Sequence, residues 1–356
     1  MRFPEFTDEW TETSIGSVLT IGNGRDYKDL GHGDVPVFGT GGYMTSVNKF
    51  LLDGESVFIG RKGTINKPFY FNGKFWTVDT LFYTHSFKGI LPKFVLSIFE
   101  NINWLKYNEA SGVPSLSKST IEKIIICIPR IIEQQKISDF IDLLNHRIEL
   151  QSKLIEDLQQ LKSALVERLY CQHNPNFKIG DLVVQVSKRN RGDNDYSVLS
   201  VNNRLGFIEQ SEQFEDRSVA SDDTSNYKVV SRDDFAYNPA RVNVGSIARL
   251  TSFESGIVSP MYICFYTKKQ LFPQYLEHFF DTRYFHYEMQ KRLEGSVRLC
   301  LSWEGLCNIP IAVPPIDQQE KVGKRISRLA DKISLEERHL DLLKTQKQYL
   351  LQAMFI

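Results

Sequence analysis

The sequence lacks a net charge, a long apolar run and a signal-type N-terminus. Lys and Arg together number 43, as do Asp and Glu, so the formal charge at pH 7 is zero. Because nucleic-acid-binding domains are usually basic, this balance weighs slightly against that class, although a neutral total can conceal a basic face. No uninterrupted apolar run reaches the roughly 18 residues typical of a transmembrane helix. We therefore expect neither a membrane span nor a signal peptide.

Cysteine is scarce and scattered. The five cysteines are odd in number and contain no Cys-x-x-Cys pair, at positions Cys127, Cys171, Cys264, Cys300 and Cys307. Disulfide frameworks and zinc sites need paired or regularly spaced thiols. The pattern therefore indicates a reduced, cytoplasmic protein with neither.

Catalytic motifs are also missing. An adenine N6-methyltransferase needs an Asn/Asp-Pro-Pro-Tyr/Phe loop to hold the flipped base. The nearest matches, Asn238-Pro239-Ala240-Arg241 and Asn174-Pro175-Asn176-Phe177, both lack the second proline. No Gly-x-x-x-x-Gly-Lys-Ser/Thr loop is present for ATP, and the histidines show no metal-ligand spacing. We predict no catalytic residue, no metal site and no cofactor in this chain.

The sequence does contain one long segment that occurs twice. A shift of 185 positions lays Pro129–Tyr170 over Pro314–Phe355 without a gap, with identities such as Gln134/Gln319. Most other positions keep their chemical character. Since an internal repeat decides the architecture of a chain, this one is the basis of the fold prediction.

Both copies carry apolar residues at heptad spacing. Such spacing over about five heptads indicates a coiled coil, and about 40 helical residues span about 60 Å, too long for one small domain. Polar residues interrupt the first copy at Gln151 and Lys162 and the second at Glu336 and Lys347, the same two places. The predicted seam residues are Ile137, Ile141, Leu144, Ile148, Leu158, Leu165, Val322, Ile326, Leu329, Ile333, Leu340, Leu343 and Leu350.

Short β-type segments and glycine-rich turns fill the chain before each long helix. In the first stretch, Asn72-Gly73 predicts a hairpin turn, Leu91–Tyr107 a helix and Ile121–Ile128 the last strand. The second stretch repeats the order of these elements. We predict an α+β fold with two mixed α/β domains, separated by two long helices that form an antiparallel coiled coil, as a pseudo-two-fold internal repeat. The predicted boundaries are 1–128 and 173–313 for the domains, and 129–172 and 314–356 for the helices.

These residues resemble a known family. The Pro-x-Ile-x-x-Gln-x-Lys-Ile/Val openings of both helices are similar to the repeats of specificity (S) subunits of type I restriction–modification enzymes. The passage Asp53–Ile65, followed by Phe75–Thr80, resembles the first target-recognition domain of many such subunits. The resemblance covers essentially the whole chain, but it does not identify the DNA target.

The resemblance implies a role without chemistry of its own. Each domain would read one half of a split, asymmetric DNA site, and the helices would set the distance between the half-sites. The helices would also dock two methyltransferase (M) subunits. The M subunits would bind S-adenosylmethionine and methylate adenine N6, and restriction (R) subunits would use ATP and Mg to translocate and cut.

Several loops combine the residue types that contact bases and phosphates. Arg, Lys, Asn and Gln read base edges, and Lys, Arg, Ser and Thr hold phosphates. The candidate DNA-binding residues are Arg25, Lys28, Thr40, Gly41, Arg61, Lys62, Thr64, Asn66, Lys67, Lys188, Arg189, Asn190, Arg191, Asn203, Arg204, Asn238, Arg241 and Asn243. Any one of them can equally be a solvated turn residue, and the loops 111–117 and 295–302 can equally be plain connectors.

Two other classes of protein stay open on the sequence alone. A coiled-coil scaffold could hold protein partners while its β-rich domains bind something other than DNA. An orphan S-like DNA-binding protein, without a working R subunit, would have the same sequence features. Binding that falls steeply with salt would distinguish a DNA reader from a scaffold.

Overall fold

The computed structural model describes residues 2–170, 174–191, 196–203, 205–210, 223–296 and 298–355. The chain forms two compact units. Unit 1 comprises residues 1–152 and 338–356, and unit 2 comprises residues 153–337. Both divisions fall within long helices, so each unit includes a segment of both.

Unit 1 is built on a six-stranded sheet. The strands of this unit are β1 (Thr11–Ser14), β2 (Thr20–Asn23), β3 (His32–Gly39), β4 (Gly42–Val47), β5 (Leu52–Gly60), β6 (Phe69–Thr77), β7 (Leu81–His85) and β8 (Ile125–Ile128). Its short helices are α1 (Ile15–Val18), α2 (Pro92–Asn101) and α3 (Lys118–Lys123), with a 3-10 helix at Trp104–Tyr107. The sheet order is β2-β7-β5-β6-β3-β4, and β1 pairs separately with β8.

Aromatic residues explain why the central strands of unit 1 are strands. Phe58, Phe75 and Leu81 are almost completely buried and form one apolar cluster between β5, β6 and β7. Aromatic side chains favour the pleated, half-buried surface of a sheet. The largest core of unit 1 lies where α2 packs with α1, α3 and the long helices.

Three local predictions for unit 1 are wrong. Asn72-Gly73 is not a hairpin turn, because Gly73 pairs with Gly54 in the middle of β5 and β6. Both glycines have positive φ, +129° and +144°, so they make a paired distortion of the strands instead of a turn. The loop joining β5 to β6 lies between Gly60 and Phe69.

The predicted helix over Leu91–Tyr107 breaks after Asn101, where Ile102 and Asn103 leave the helical conformation before the 3-10 helix. The predicted strand over Ile121–Ile128 begins instead as α3, because Ser117 caps that helix by accepting a hydrogen bond from the Thr120 amide. Only Ile125–Ile128 is strand.

Unit 2 has two four-stranded sheets. Its strands are β9 (Phe177–Lys178), β10 (Val183–Val186), β11 (Val198–Asn202), β12 (Gly206–Glu209), β13 (Lys228–Ser231), β14 (Phe235–Tyr237), β15 (Ile247–Arg249), β16 (Ser255–Val258), β17 (Ile263–Thr267), β18 (Leu293–Glu294), β19 (Cys300–Leu301) and β20 (Pro310–Ile311). Its short helices are α5 (Ile179–Leu182), α6 (Pro273–Phe279), α7 (Arg283–Gln290) and α8 (Trp303–Cys307), with a 3-10 helix at Val242–Val244. The sheet orders are β10-β17-β14-β15 and β12-β11-β16-β13, and β9-β20 and β18-β19 form small pairs.

The same main-chain hydrogen bonds recur in both units. The Ile15 amide donates to the Ile124 carbonyl at 3.0 Å, and the Ile179 amide donates to the Ile309 carbonyl at 3.0 Å. The two carbonyls are separated by the 185-residue repeat shift. The repeat is therefore present in the backbone of the globular regions as well as in the helices.

Both long helices run without a break. They are α4 (Ile131–Tyr170) and α9 (Ile316–Met354). All thirteen predicted seam residues are buried or half-buried, and none is exposed. The polar interruptions Gln151 and Glu336 are buried as well. None of the helices in the described residues combines the length and apolarity needed to cross a bilayer.

In unit 2 the two helix segments run in opposite directions. Gln159 donates to Glu337 at 3.1 Å, while Val166 shares a core cluster with Ile326. Later residues of α4 therefore lie near earlier residues of α9. In unit 1, Ile137 shares a core cluster with Met354, near the end of α9.

Candidate nucleic-acid interface

The loop between β5 and β6 holds the main basic segment of unit 1. Arg61 and Lys62 are exposed, and both of their amides donate to the Thr80 carbonyl, at 2.8 and 3.2 Å. The Arg61 guanidinium lies 5.9 Å from the centre of the Phe82 ring, an arrangement that holds a cation by its attraction to the ring face. The backbone therefore fixes this loop while its charged ends face solvent.

Two glycines shape that loop. A Cβ on Gly60 would lie 2.1 Å from the Thr64 carbonyl oxygen, so no other residue fits without moving backbone. Gly63 has φ +95°, in the region that favours glycine. A Cβ at Gly63 would lie 3.7 Å from Thr40 Oγ1, so the structure brings the candidate residue Thr40 next to the loop that carries Arg61 and Lys62.

Arg25 sits against the same part of the sheet. Its amide donates to the Thr77 carbonyl at 2.8 Å, and its carbonyl accepts from Trp76 Nε1 at 2.8 Å. Lys28 is exposed on the following turn, where Asp26 accepts a hydrogen bond from the Lys28 amide at 3.1 Å.

The loop 111–117, which on sequence alone can equally be a plain connector, contacts this region. The Gly63 amide donates to the Pro114 carbonyl at 2.8 Å, and the Leu116 amide donates to the Arg61 carbonyl at 2.9 Å. This 111–117 loop and Arg61 and Lys62 line one cavity of about 500 Å³. The mixture of small residues in the loop gave no signal of this role, because the pairing partner is about 50 residues away in sequence.

The cavity also contains one carboxylate, that of Glu109. Thr120 and Ser117 donate their hydroxyls to it, and these hydrogen bonds hold the pKa of Glu109 below its usual value. The carboxylate thus stays charged and engaged with its own unit.

In unit 2, the basic segment Ser187–Arg191 lines a cavity of about 830 Å³. Lys188, Arg189 and Arg191 are exposed, and Arg189 donates to Asn226 at 2.9 Å. Asn190 is only 5% exposed, and its amide donates to the Tyr227 carbonyl at 2.8 Å. Asn190 therefore positions the segment from inside.

The second polar segment of unit 2 follows β14. Asn238 is 8% exposed and accepts a hydrogen bond from the Ala240 amide at 3.1 Å, so it shapes the turn. Arg241 and Asn243 are exposed and line a cavity of about 860 Å³ together with Arg298 and Leu299. The Leu301 amide donates to the Pro239 carbonyl at 3.0 Å, which ties β19 to this segment.

The predicted DNA-binding residues thus fall into three groups. The exposed ones are Arg25, Lys28, Gly41, Arg61, Lys62, Asn66, Lys67, Lys188, Arg189, Arg191, Asn203, Arg241 and Asn243. Thr40 and Thr64 are half-buried, and Asn190 and Asn238 are buried. Arg204 lies outside the described residues. Within the part of the chain that the structure describes, no group of three His, Cys, Asp or Glu residues is placed to hold a metal ion.

One family model matches part of the chain. Residues 7–160 match the family model described as Type I restriction modification DNA specificity domain. No curated protein sequence matches the chain.

Solved structures resemble the whole chain. One is the crystal structure of a type-I restriction-modification system S subunit from M. genitalium, with a TM-score of 0.62 and 15% identity over 100% of this chain and 99% of that chain. Another, described as the structural basis of complex assembly and conformational transition of the type I R-M system, has a TM-score of 0.58 and 12% identity over 99% and 98%. This likeness shows the fold, and it confirms the prediction of mixed α/β domains separated by long helices.

Proposed function

We propose that this chain is the S subunit of a type I restriction–modification system and reads a split, asymmetric site with its two units; the match of residues 7–160 to the DNA specificity domain model supports this proposal. The observation that carries this proposal is the matched placement of exposed cations. In unit 1, Arg61 and Lys62 lie beside a loop held by the Leu116 amide, and in unit 2, Arg241 lies beside a loop held by the Leu301 amide.

Charge is concentrated in these loops despite the zero total. The segment Gly60–Lys67 contains two lysines and an arginine and no acidic residue, and Ser187–Arg191 contains two arginines and a lysine and no acidic residue. Cations on exposed loops release counterions when they bind phosphates, which makes binding strongly salt-dependent. A neutral chain can therefore bind DNA through local basic surfaces.

A binding experiment tests this proposal. The chain, in complex with its M subunits, should bind DNA containing its methylated site, with affinity that falls steeply between 50 and 200 mM salt. Replacing Arg61 and Lys62 with Ala should weaken binding by about tenfold and lower the salt slope by about 1 to 2. The matched control is Lys106→Ala, which removes an exposed charge on the 3-10 helix of unit 1. Salt-independent binding, or none, would contradict the proposal.

The half-site assignment has its own test. Arg61→Ala should reduce methylation by relaxing recognition in one half of the site, and Arg241→Ala in the other half. Mapping N6-methyladenine in host DNA with each variant reads both effects. If both variants affected the same half, the assignment of one half-site to each unit would fail. The proposed recognition domains are residues 1–128 and 173–313, and the proposed spacer helices are residues 129–172 and 314–356.

We further propose that the long helices dock M subunits through apolar residues outside the seam. Leu150 and Leu335 occupy the same repeat position, and both are 53% exposed. In unit 1, Leu143 of α4 and Leu342 and Tyr349 of α9 are also exposed. In unit 2, Leu154 and Leu161 of α4 are exposed. An apolar residue kept exposed in both copies fits one M subunit for each unit, two in all.

Charge substitutions test the docking surface. Leu150→Glu should remove one M subunit from the complex, Leu335→Glu should remove one, and the double variant should remove both. Mass measurement of the purified complexes would count them. The matched control is Gln160→Glu, which adds the same charge at an exposed polar position of α4. Full stoichiometry in the double variant would contradict the proposal.

The chemistry then belongs to the partners. We propose that M subunits supply S-adenosylmethionine-dependent methylation, that R subunits supply ATP- and Mg-dependent cleavage, and that this chain works with them in the cytoplasm without catalysis of its own. The purified chain alone, incubated with S-adenosylmethionine and site-containing DNA, should transfer no methyl group, whereas adding M subunits should restore transfer. Methylation by the chain alone would overturn this assignment.

A further inference from the structure

Each unit presents a large apolar side chain on the loop that follows its cations. Val113 is 55% exposed and Leu299 is 51% exposed. Single exposed apolar residues are common and by themselves need no explanation. These two, however, lie on corresponding loops, because each precedes a leucine, Leu116 or Leu301, that is buried and belongs to the 185-residue repeat.

Main-chain hydrogen bonds hold the residues that follow both side chains. In unit 1, Pro114 and Leu116 both make main-chain hydrogen bonds to the basic loop, at 2.8 and 2.9 Å, and Lys62 and Ser115 form a β-bridge. In unit 2, Leu301 is bonded to Pro239 at 3.0 Å. Val113 is therefore carried by a fixed loop, as recognition of a particular chemical group requires, and Leu299 lies two residues before an anchored leucine.

Cations lie near both side chains. Val113 lines its cavity together with Arg61, Lys62, Lys118 and the carboxylate of Glu109, which is hydrogen-bonded within its own unit. Leu299 lines its cavity together with Arg241, Arg298 and the exposed side chain of Met261. A protein partner for an apolar anchor would be expected to bring a wider apolar patch. A small apolar surface beside exposed cations instead fits a polyanion that displays isolated methyl groups.

DNA has this chemistry. The C5-methyl of thymine is the apolar group on the base edges of the major groove, and apolar side chains contact it in sequence-specific complexes. We infer that Val113 and Leu299 are specificity-determining residues, each contacting a thymine methyl in the half-site of its own unit. This inference rests on the proposed function, under which methylation falls on adenine. Each half-site then contains at least one A·T pair, and therefore at least one thymine methyl.

The methyl group can be removed from the DNA and the side chain from the protein. Once the site has been mapped, each thymine of both half-sites is replaced in turn by deoxyuridine, which lacks only the C5-methyl. Binding of the chain with its M subunits is measured by fluorescence anisotropy at one salt concentration. In the wild type, one replacement in each half-site should weaken binding by about fourfold, the value of one buried methyl group.

Alanine variants show whether each side chain is the one that contacts the thymine methyl. Val113→Ala should weaken binding to unmodified DNA and abolish the effect of the deoxyuridine in the first half-site, while leaving the second unchanged. Leu299→Ala should do the reverse, so each variant is the control for the other. Leu105→Ala, at a side chain that is 57% exposed on the 3-10 helix, should leave both effects intact.

Two outcomes overturn different statements. If wild type and both Ala variants respond equally to every deoxyuridine, the thymine contact is wrong although the chain still binds its site. If the wild-type complex shows no site-specific binding at all, the proposed function itself fails and the inference fails with it. Both side chains are exposed, so the variants are expected to fold, and unchanged thermal unfolding would verify this.

Discussion

The two units share a backbone framework but differ in the side chains that close it. In unit 1, Glu133 is buried and accepts hydrogen bonds from Arg2 at 2.7 and 2.6 Å and from Trp10 at 3.3 Å. The repeat-related position in unit 2 is Gln318, which is exposed. Unit 1 therefore uses its N-terminal segment to cover the start of α4, and unit 2 has no such cover over the start of α9 in the described residues.

The residue next along the helix shows the opposite behaviour. Gln134 Oε1 accepts from the Leu91 amide at 2.9 Å, and Gln319 Oε1 accepts from the Phe272 amide at 2.8 Å. Their Nε2 atoms donate to the Pro129 and Pro314 carbonyls at 2.9 and 2.8 Å. Side chains that satisfy main-chain groups are retained in both copies, because the framework cannot close without them, whereas side chains that only cover it diverge.

Removal of either framework glutamine should destabilise the protein more than any other change proposed below. Gln134→Ala and Gln319→Ala should each destabilise their own unit by about 2 to 4 kcal/mol, because each leaves a buried amide and buried carbonyls without partners. Urea unfolding followed by pulse proteolysis and mass spectrometry would resolve the two units.

Neighbouring glutamines serve as controls. Gln135→Ala and Gln318→Ala remove exposed side chains and should change the free energy of unfolding by less than about 0.5 kcal/mol. A large loss of stability in unit 1 with a small one in unit 2 would contradict this prediction, since it would mean that the shared glutamine has a framework role in one copy alone.

A second prediction concerns a buried position that α2 of unit 1 and α6 of unit 2 share, the sixth residue of each helix. This is Ser97 in α2 and His278 in α6, both buried. His278 Nε2 lies 3.0 Å from Ser327 Oγ. Burial lowers the pKa of His278 to about 4, with Lys162 and Arg249 lowering it further and Asp281 opposing them.

Because the pKa of His278 is lowered on folding, acid should destabilise unit 2 through this residue. Unfolded His278 binds a proton near pH 6.5 but the folded form does so only near pH 4, so its contribution to stability is present above pH 6.5 and is lost as the pH falls towards 4. Unit 2 should lose about 2 kcal/mol between pH 7.5 and pH 5 from this group. His278→Gln should flatten that dependence, whereas exposed His146→Gln should not. An unchanged acid sensitivity in His278→Gln would show that another group is responsible.

Much of the fold could be predicted because the repeat was visible in sequence. The bounds of α4 and α9 follow from heptad spacing that extends over many residues, and periodic signals of that length are robust. The breaks at Asn72-Gly73 and at Ile102 could not be read in the same way, since they depend on strand pairing and on core packing contributed by distant residues.

The candidate interface could be predicted only in part. Residue type identified Arg61, Lys188 and Arg241 as cations on loops, and the structure exposes them. Asn190 and Asn238 were predicted on the same basis, but both are buried. Residue type alone does not distinguish an asparagine that shapes a turn from one that contacts a base. On sequence alone the loops 111–117 and 295–302 can equally be connectors, since their relation to the cations is made by main-chain hydrogen bonds that no side-chain pattern records.

The smallest expected effect concerns the aromatic pair that closes unit 2. Tyr170 donates to the Tyr275 carbonyl at 2.5 Å, and Tyr275 donates to the Ala312 carbonyl at 2.8 Å. In unit 1 the corresponding contact is between Phe94 and Phe355, with ring centres 5.4 Å apart and no hydroxyl. Tyr275→Phe should therefore cost unit 2 about 1 kcal/mol, the net value of a buried hydrogen bond, and leave the unfolding of unit 1 unchanged.

Calorimetry would detect this change as a fall in the unfolding midpoint of unit 2 of about 2 to 4 °C. Tyr266→Phe, at a side chain that is 45% exposed, is the control and should have no measurable effect. If Tyr275→Phe were neutral, the ring contact alone would close unit 2 as it does unit 1, and the two units would differ in composition there but not in how they are stabilised. A measurable loss instead shows that unit 2 depends on hydroxyl bonds to carbonyls where unit 1 depends on packing.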